Sequence, residues 1–84
     1  MNLEFHGEGW QHFQYWIEHD KVGLPKLNRL IAECLRHPFE GTGKPEPLKG
    51  DFSGYWSRRI DREHRLVYRA TADALIIIQC RYQY

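Results

Sequence analysis

The sequence predicts an α+β sandwich in the order β-α-α-β-β-β, an antiparallel sheet with two helices packed on one face. Three observations predict it. Residues 8–35 place apolar side chains at three- and four-residue steps, the last third reads as three alternating runs with short connections, and the 16 residues Phe39–Gly54 between them hold four glycines and two prolines.

The elements follow in order. Asn2–His6 alternates with Leu3 and Phe5 inward, a short opening strand. Gly7 breaks it, and Glu8 opens a helix to about Asp20 whose stripe is Trp10, Phe13 and Ile17, widened by Trp16. Gly23 interrupts, Pro25 suits a first helical turn, and Leu24, Leu27, Ile31, Cys34 and Leu35 form a second amphipathic helix that Pro38 ends. Phe39–Gly54 reads as a constrained loop. Tyr55–Ile60, Arg65–Ala70 and Ala74–Tyr82 are strand candidates, and their short connections predict an antiparallel meander. The helices cover one sheet face, which leaves the other for binding.

A hairpin centred on Arg62 would set Arg59 opposite Arg65, with Tyr55, Ser57, Val67 and Arg69 on that face and Trp56, Ile60, Leu66 and Tyr68 toward the helices. Two arginines directly opposite repel, which suggests an anion between them. Arg58 falls on the core side, and alternation alone offers no reason for it without a bulge or an edge position.

At 84 residues the chain has room for a single domain, 1–84. A chain of this size buries only about 60–65% of its unfolded surface, so a partner or dimer would help. Charge is unevenly distributed: residues 1–43 carry net −2, residues 44–69 net +3 and residues 70–84 none. That is a modest basic footprint for nucleic acid, though an ordinary solvated surface explains it as well. Two cysteines, Cys34 and Cys80, are too few for a disulfide framework and read as buried small hydrophobes, Cys80 continuing the Ile76, Ile78 alternation. No stretch reads as a signal peptide or a membrane span, which places the chain in a reducing cytoplasm. Five histidines are present, but none sits in a His/Cys/Asp cluster with ligand spacing, so no metal or other cofactor is expected.

The chemistry-bearing stretch runs from Lys44 to Arg69. It holds Glu46 between Pro45 and Pro47, then Lys49, Arg59, Glu63 and Arg65, with aromatics threaded among them and Arg81-Tyr82-Gln83-Tyr84 to follow. Fixed cations suit phosphate charge, a rigidly held carboxylate suits a hydroxyl proton, and rings suit base stacking.

The run PFEGTGKPEPLKGDFSGYWSRRIDREHRLVYR with its C-terminal R-Y-x-Y closely resembles the YoeB/Txe-type toxins of the RelE superfamily, over essentially the whole chain. That resemblance implies the RelE-like fold and a ribosome-dependent endoribonuclease that cleaves mRNA in the A site without a cofactor. It implies a YefM/Phd-type antitoxin, binding to the 70S ribosome and mRNA, contact with operator DNA only through the antitoxin complex, a possible homodimer and no membrane. By the family pattern Glu46 is the general base, Arg65 stabilises the phosphate, and Lys49, Arg59 and Glu63 line the RNA site, Glu63 alternatively pairing with one of the arginines. Tyr84 is the terminal aromatic that stacks on a base.

The departure is at position 83. The pattern ends His-Tyr, with the histidine as general acid, whereas this chain reads Gln83-Tyr84. Glutamine donates a hydrogen bond but transfers no proton, and a general acid is worth about 10²–10⁴-fold. The resemblance therefore implies a nuclease of reduced activity. Either Tyr84, His64 or the terminal carboxylate supplies the proton instead, or the near-isosteric glutamine silences the toxin. A catalytically inactive ribosome- or antitoxin-binding module or operon corepressor, and a ribosome-independent ribonuclease, stand as alternatives.

Overall fold

The computed structural model describes residues 1–82. Its elements are β1 (Asn2–Phe5), α1 (Gly9–His19), α2 (Leu24–Arg36), β2 (Glu46–Pro47), a 3-10 turn (Gly50–Phe52), β3 (Trp56–Arg59), β4 (Arg65–Ala70) and β5 (Ala74–Gln79). They form a five-stranded sheet in the order β1-β5-β4-β3-β2 with both helices packed against it.

The β3–β4–β5 meander is antiparallel as expected, and Arg59 stands opposite Arg65. Two features were not legible. β1 joins β5 in parallel, Asn2 opposite Ala74 and Phe5 opposite Ile77, so the sheet is mixed. The predicted loop also contains a strand: β2 pairs with β3, Glu46 opposite Ser57 and Pro47 opposite Trp56. A proline is tolerated there because β2 is an edge.

The core is built from Trp16, Leu27, Leu30, Ile31, Cys34, Ile60, Leu66, Tyr68, Leu75, Ile77 and Cys80. Helix α1 can approach β5 closely because it begins on a glycine: a Cβ on Gly9 would lie 2.3 Å from the Ile77 carbonyl oxygen. Helix α2 starts with a proline in its first turn and buries Leu27, Leu30, Ile31 and Cys34, of which Leu30 was not singled out from sequence.

Several expectations are corrected. Leu3 is exposed, and so are Trp10 and Ile17, since α1 turns Trp16 rather than those two to the core. Trp10 packs instead with Phe5 and Phe13 in an aromatic group at the surface, with centroids 5.5 and 6.1 Å away. Cys80 is buried but does not continue the Ile76, Ile78 alternation. The strand ends at Gln79, and Cys80 turns into the core beside Leu75 and Ile77. The sheet face away from the helices is not bare either, because Ser57 and Val67 are fully buried there.

Arg58 needs neither a bulge nor an edge. Its guanidinium is buried on the helix side, where every donor has work: Nε donates to Tyr68 Oη at 3.1 Å, Nη1 to Glu33 Oε1 at 3.1 Å and the Thr42 carbonyl at 3.3 Å, and Nη2 to the carbonyls of Glu40 at 2.8 Å and His37. Tyr68 in turn donates to the Pro38 carbonyl at 2.6 Å. Burial pushes the Tyr68 phenol up to about 12, so it keeps the proton it donates. One cation thus pins the 37–42 segment that follows α2.

Candidate active site

Three neighbouring strands bring Glu46, Ser57 and Arg65 together. Glu46 of β2 lies across from Ser57 of β3, and Arg65 opens β4 on the next strand. Arg65 Nη2 donates to Glu46 Oε1 at 2.8 Å and to Ser57 Oγ at 2.9 Å, and Nε reaches the same hydroxyl at 3.3 Å. The Arg65 side chain is recessed at 14% exposure, whereas Glu46 is half in solvent at 54%. A cation held from behind with a carboxylate on its open side suits attack on a phosphodiester.

The backbone delivering Glu46 is constrained at each step. Gly43 (φ +85°) accepts the Arg59 amide at 2.7 Å, and a Cβ there would sit 2.8 Å from the Arg59 carbonyl oxygen. Lys44 follows with φ +53°, doubly disfavoured because it is neither glycine nor free of a following proline. Such a residue costs on the order of 1–3 kcal/mol and persists only where its surroundings impose it. Pro45 and Pro47 then limit the freedom of the Glu46 backbone.

The remaining expected residues are dispersed. Arg59, although opposite Arg65, lines a cleft of about 770 Å³ with Lys26 of α2 and the turn residues Asp61, Arg62 and Glu63. Arg65, for its part, is met by Glu46. Glu63 is exposed at that turn, its carboxylate 3.9 Å from His64 Nε2. Lys49 is exposed just before the 3-10 turn. Gln83 and Tyr84 lie outside the described residues. Tyr82, the last described residue, accepts the Arg65 amide through its carbonyl at 3.0 Å.

The family of the "YoeB-like toxin of bacterial type II toxin-antitoxin system" matches residues 5–84. The chain belongs to that family. It is 56% identical to the Toxin YoeB of Streptomyces coelicolor over 84 residues, which is all of both chains. Among solved structures it is similar to the YoeB/ParE toxin from Agrobacterium tumefaciens, with TM-score 0.93, 48% identity and complete coverage of both chains. It is also similar to the heterotetrameric YoeB-YefM toxin-antitoxin complex from Staphylococcus aureus, with TM-score 0.89 and 39% identity over all of this chain and 98% of that one.

Within this site, Ser57 is the residue that the sequence places on the correct face without a role. Its signal was position, one strand from Glu46 and diagonal to Arg65. Among the described residues no group of three or more His, Cys, Asp or Glu is placed to hold a metal ion. The thiols offer no nucleophile: burial pushes Cys34 up to about 11 and Cys80 up to about 12. No helix among the described residues is long and apolar enough to cross a membrane.

Proposed function

We propose that this chain is an endoribonuclease toxin that cleaves mRNA in the ribosomal A site by metal-independent acid–base chemistry, slowed by Gln83, and that a YefM/Phd-type antitoxin restrains it. The observation that carries this reading is the pair formed by Glu46 and Arg65, 2.8 Å apart and braced by Ser57. Membership of a toxin family and similarity to a toxin solved with YefM support the partner.

An RNA phosphodiester entering the site competes with Glu46 for the Arg65 guanidinium. The carboxylate so released faces the ribose 2′-hydroxyl and takes its proton. The 2′-oxygen bonds to phosphorus, Arg65 stabilises the doubly charged phosphorane, and the bond from phosphorus to the 5′-oxygen breaks. The products are a 2′,3′-cyclic phosphate and a 5′-hydroxyl whose proton must come from an acid. Glutamine at position 83 supplies none, so departure of the 5′-oxygen is the slow step. Lys49 and Arg59 hold backbone phosphates or ribosomal RNA, Glu63 orients this basic rim, and Tyr84 stacks on a message base.

Incubating the chain and its Gln83→His variant with programmed ribosomes and with naked RNA tests this. Cleavage only on ribosomes, faster by about 10²–10⁴ with histidine, is expected. Cleavage of naked RNA at an equal rate supports a ribosome-independent ribonuclease. No cleavage by either protein, with ribosome or antitoxin binding retained, supports a binding module.

A further inference from the structure

Beyond Gln79 the chain leaves the sheet, and the polar groups of residues 80–82 lose the ladder that satisfied them. Side chains take over. The Cys80 amide donates to His12 Nδ1 at 3.2 Å, and the Cys80 carbonyl accepts Trp16 Nε1 at 2.8 Å. The Tyr82 amide donates to His64 Nδ1 at 2.7 Å, and its carbonyl accepts the Arg65 amide. The Arg81 guanidinium lies over the Tyr15 ring at 3.4 Å. Tyr82 itself is held at φ +63°, a conformation an L-residue adopts only when its surroundings impose it.

Both imidazoles are recessed, each side chain 13% exposed. The His64 ring stands edge-on to Trp16 at 5.1 Å and tilted against Tyr82 at 5.9 Å, and the His12 ring meets Tyr82 edge-on at 6.3 Å. In each ring it is Nδ1 that accepts the backbone amide. Around His12 stand Glu8, with Oε2 3.8 Å from Nε2, Arg81 and His64. Around His64 stand Glu63, with Oε2 3.9 Å from Nε2, His12, and Asp61, whose Oδ1 accepts the His64 amide at 2.8 Å.

We propose that His64, backed by His12, is a positioning residue: as a hydrogen-bond acceptor it fixes Tyr82, whose carbonyl is bound to the amide of Arg65 in the Glu46–Arg65 pair. The proposal rests on the nuclease reading above for its catalytic consequence but not for its structural one. This role requires no contact of either ring with substrate. His64 acts through the Tyr82 amide, beside the Arg65 amide that binds the Tyr82 carbonyl, so the two successive side chains His64 and Arg65 serve the tail and the phosphate.

The test uses the full chain labelled with ¹⁵N, with His64→Phe to keep the ring and remove the acceptor, and His64→Asn to return an oxygen near Nδ1. Exchange of the Tyr82 amide is expected to quicken by about tenfold or more in His64→Phe, to recover in His64→Asn, and to leave the Leu66 and Leu75 amides unchanged. Tyr82 protection that persists in His64→Phe, or that His64→Asn fails to restore, overturns the proposal. Should His64→Phe not fold, His64→Ala is measured in its place, and Tyr82 protection that persists in His64→Ala overturns the proposal. In the Gln83→His background, His64→Phe is expected to lower single-turnover cleavage about tenfold at unchanged half-saturation, while an unchanged rate overturns the positioning role. Absence of cleavage by Gln83→His itself contradicts the nuclease reading, and the amide measurements still decide the role of His64.

Discussion

Ser57 Oγ accepts two hydrogen bonds from one Arg65 guanidinium, at 2.9 Å from Nη2 and 3.3 Å from Nε. The serine is fully buried, so it presents the arginine from a fixed floor rather than from solvent. A hydrogen bond to a charged group is worth about 1.5–3 kcal/mol. Ser57→Ala leaves the charge and loosens its aim. In a Gln83→His background it is expected to slow mRNA cleavage about tenfold while costing about 1 kcal/mol of stability. Single-turnover cleavage beside a urea melt separates the two effects, and an unaltered rate contradicts this role for Ser57.

Arg58 acts one layer deeper. It ties Glu33 of α2 and Tyr68 of β4 to the carbonyls of His37, Glu40 and Thr42, just before the Gly43–Lys44 bend that leads to Glu46. Arg58→Met fills the space with apolar atoms but leaves those acceptors buried without a donor. Losing one partner of a buried pair costs about 3–5 kcal/mol. Urea denaturation should show that loss, with greater protease sensitivity between residues 37 and 47. A loss below about 1 kcal/mol would contradict a central role.

Stability should also depend on pH with a defined sign. Burial, opposed by Glu8 and assisted by the charge of Arg81, lowers the affinity of His12 for a proton from its ordinary value of 6.5. The unfolded chain then binds the proton more readily, so His12 contributes nothing to pH dependence well above 6.5. Stability falls as pH drops from 6.5 through the lower native value. Glu33 is held below its ordinary 4.5, first by the Thr42 amide and then by the Thr42 hydroxyl and Arg58. Its contribution is present above 4.5 and is lost as pH falls through the native value. Urea midpoints from pH 8 to pH 3 should be level above about 7 and then decline. A midpoint that rises between pH 7 and pH 5 contradicts this assignment.

Much of this was legible in the chain. The α2 stripe, the meander and the Arg59–Arg65 register follow from periodicity, because a strand or helix with one buried face must repeat its apolar residues at a fixed step. The direction of β1 was not legible, since side chains alternate identically in parallel and antiparallel strands. β2 was hidden because it is two residues long and contains the proline that usually argues against a strand. Arg58 looked misplaced because local alternation cannot reveal five acceptors gathered from α2, β4 and the intervening loop. Within the site, Glu46 and Arg65 were found through motif resemblance, and their contact is visible only in the fold. Ser57 and His12 were not singled out for the site, and His64 was named only as a substitute proton donor, because their partners are a distant side chain or backbone amides, which leave no mark on sequence pattern.

The central claim is that Glu46 removes the 2′-hydroxyl proton while Arg65 holds the phosphate. It is tested most directly by single-turnover cleavage of ribosome-bound mRNA by Gln83→His and by Gln83→His carrying Glu46→Gln. Glutamine keeps the size and a hydrogen bond to Arg65 but cannot accept the proton. The account predicts a fall of about 10²–10⁴-fold with ribosome binding unchanged. Cleavage by the Glu46→Gln protein within a few-fold of its parent would contradict it.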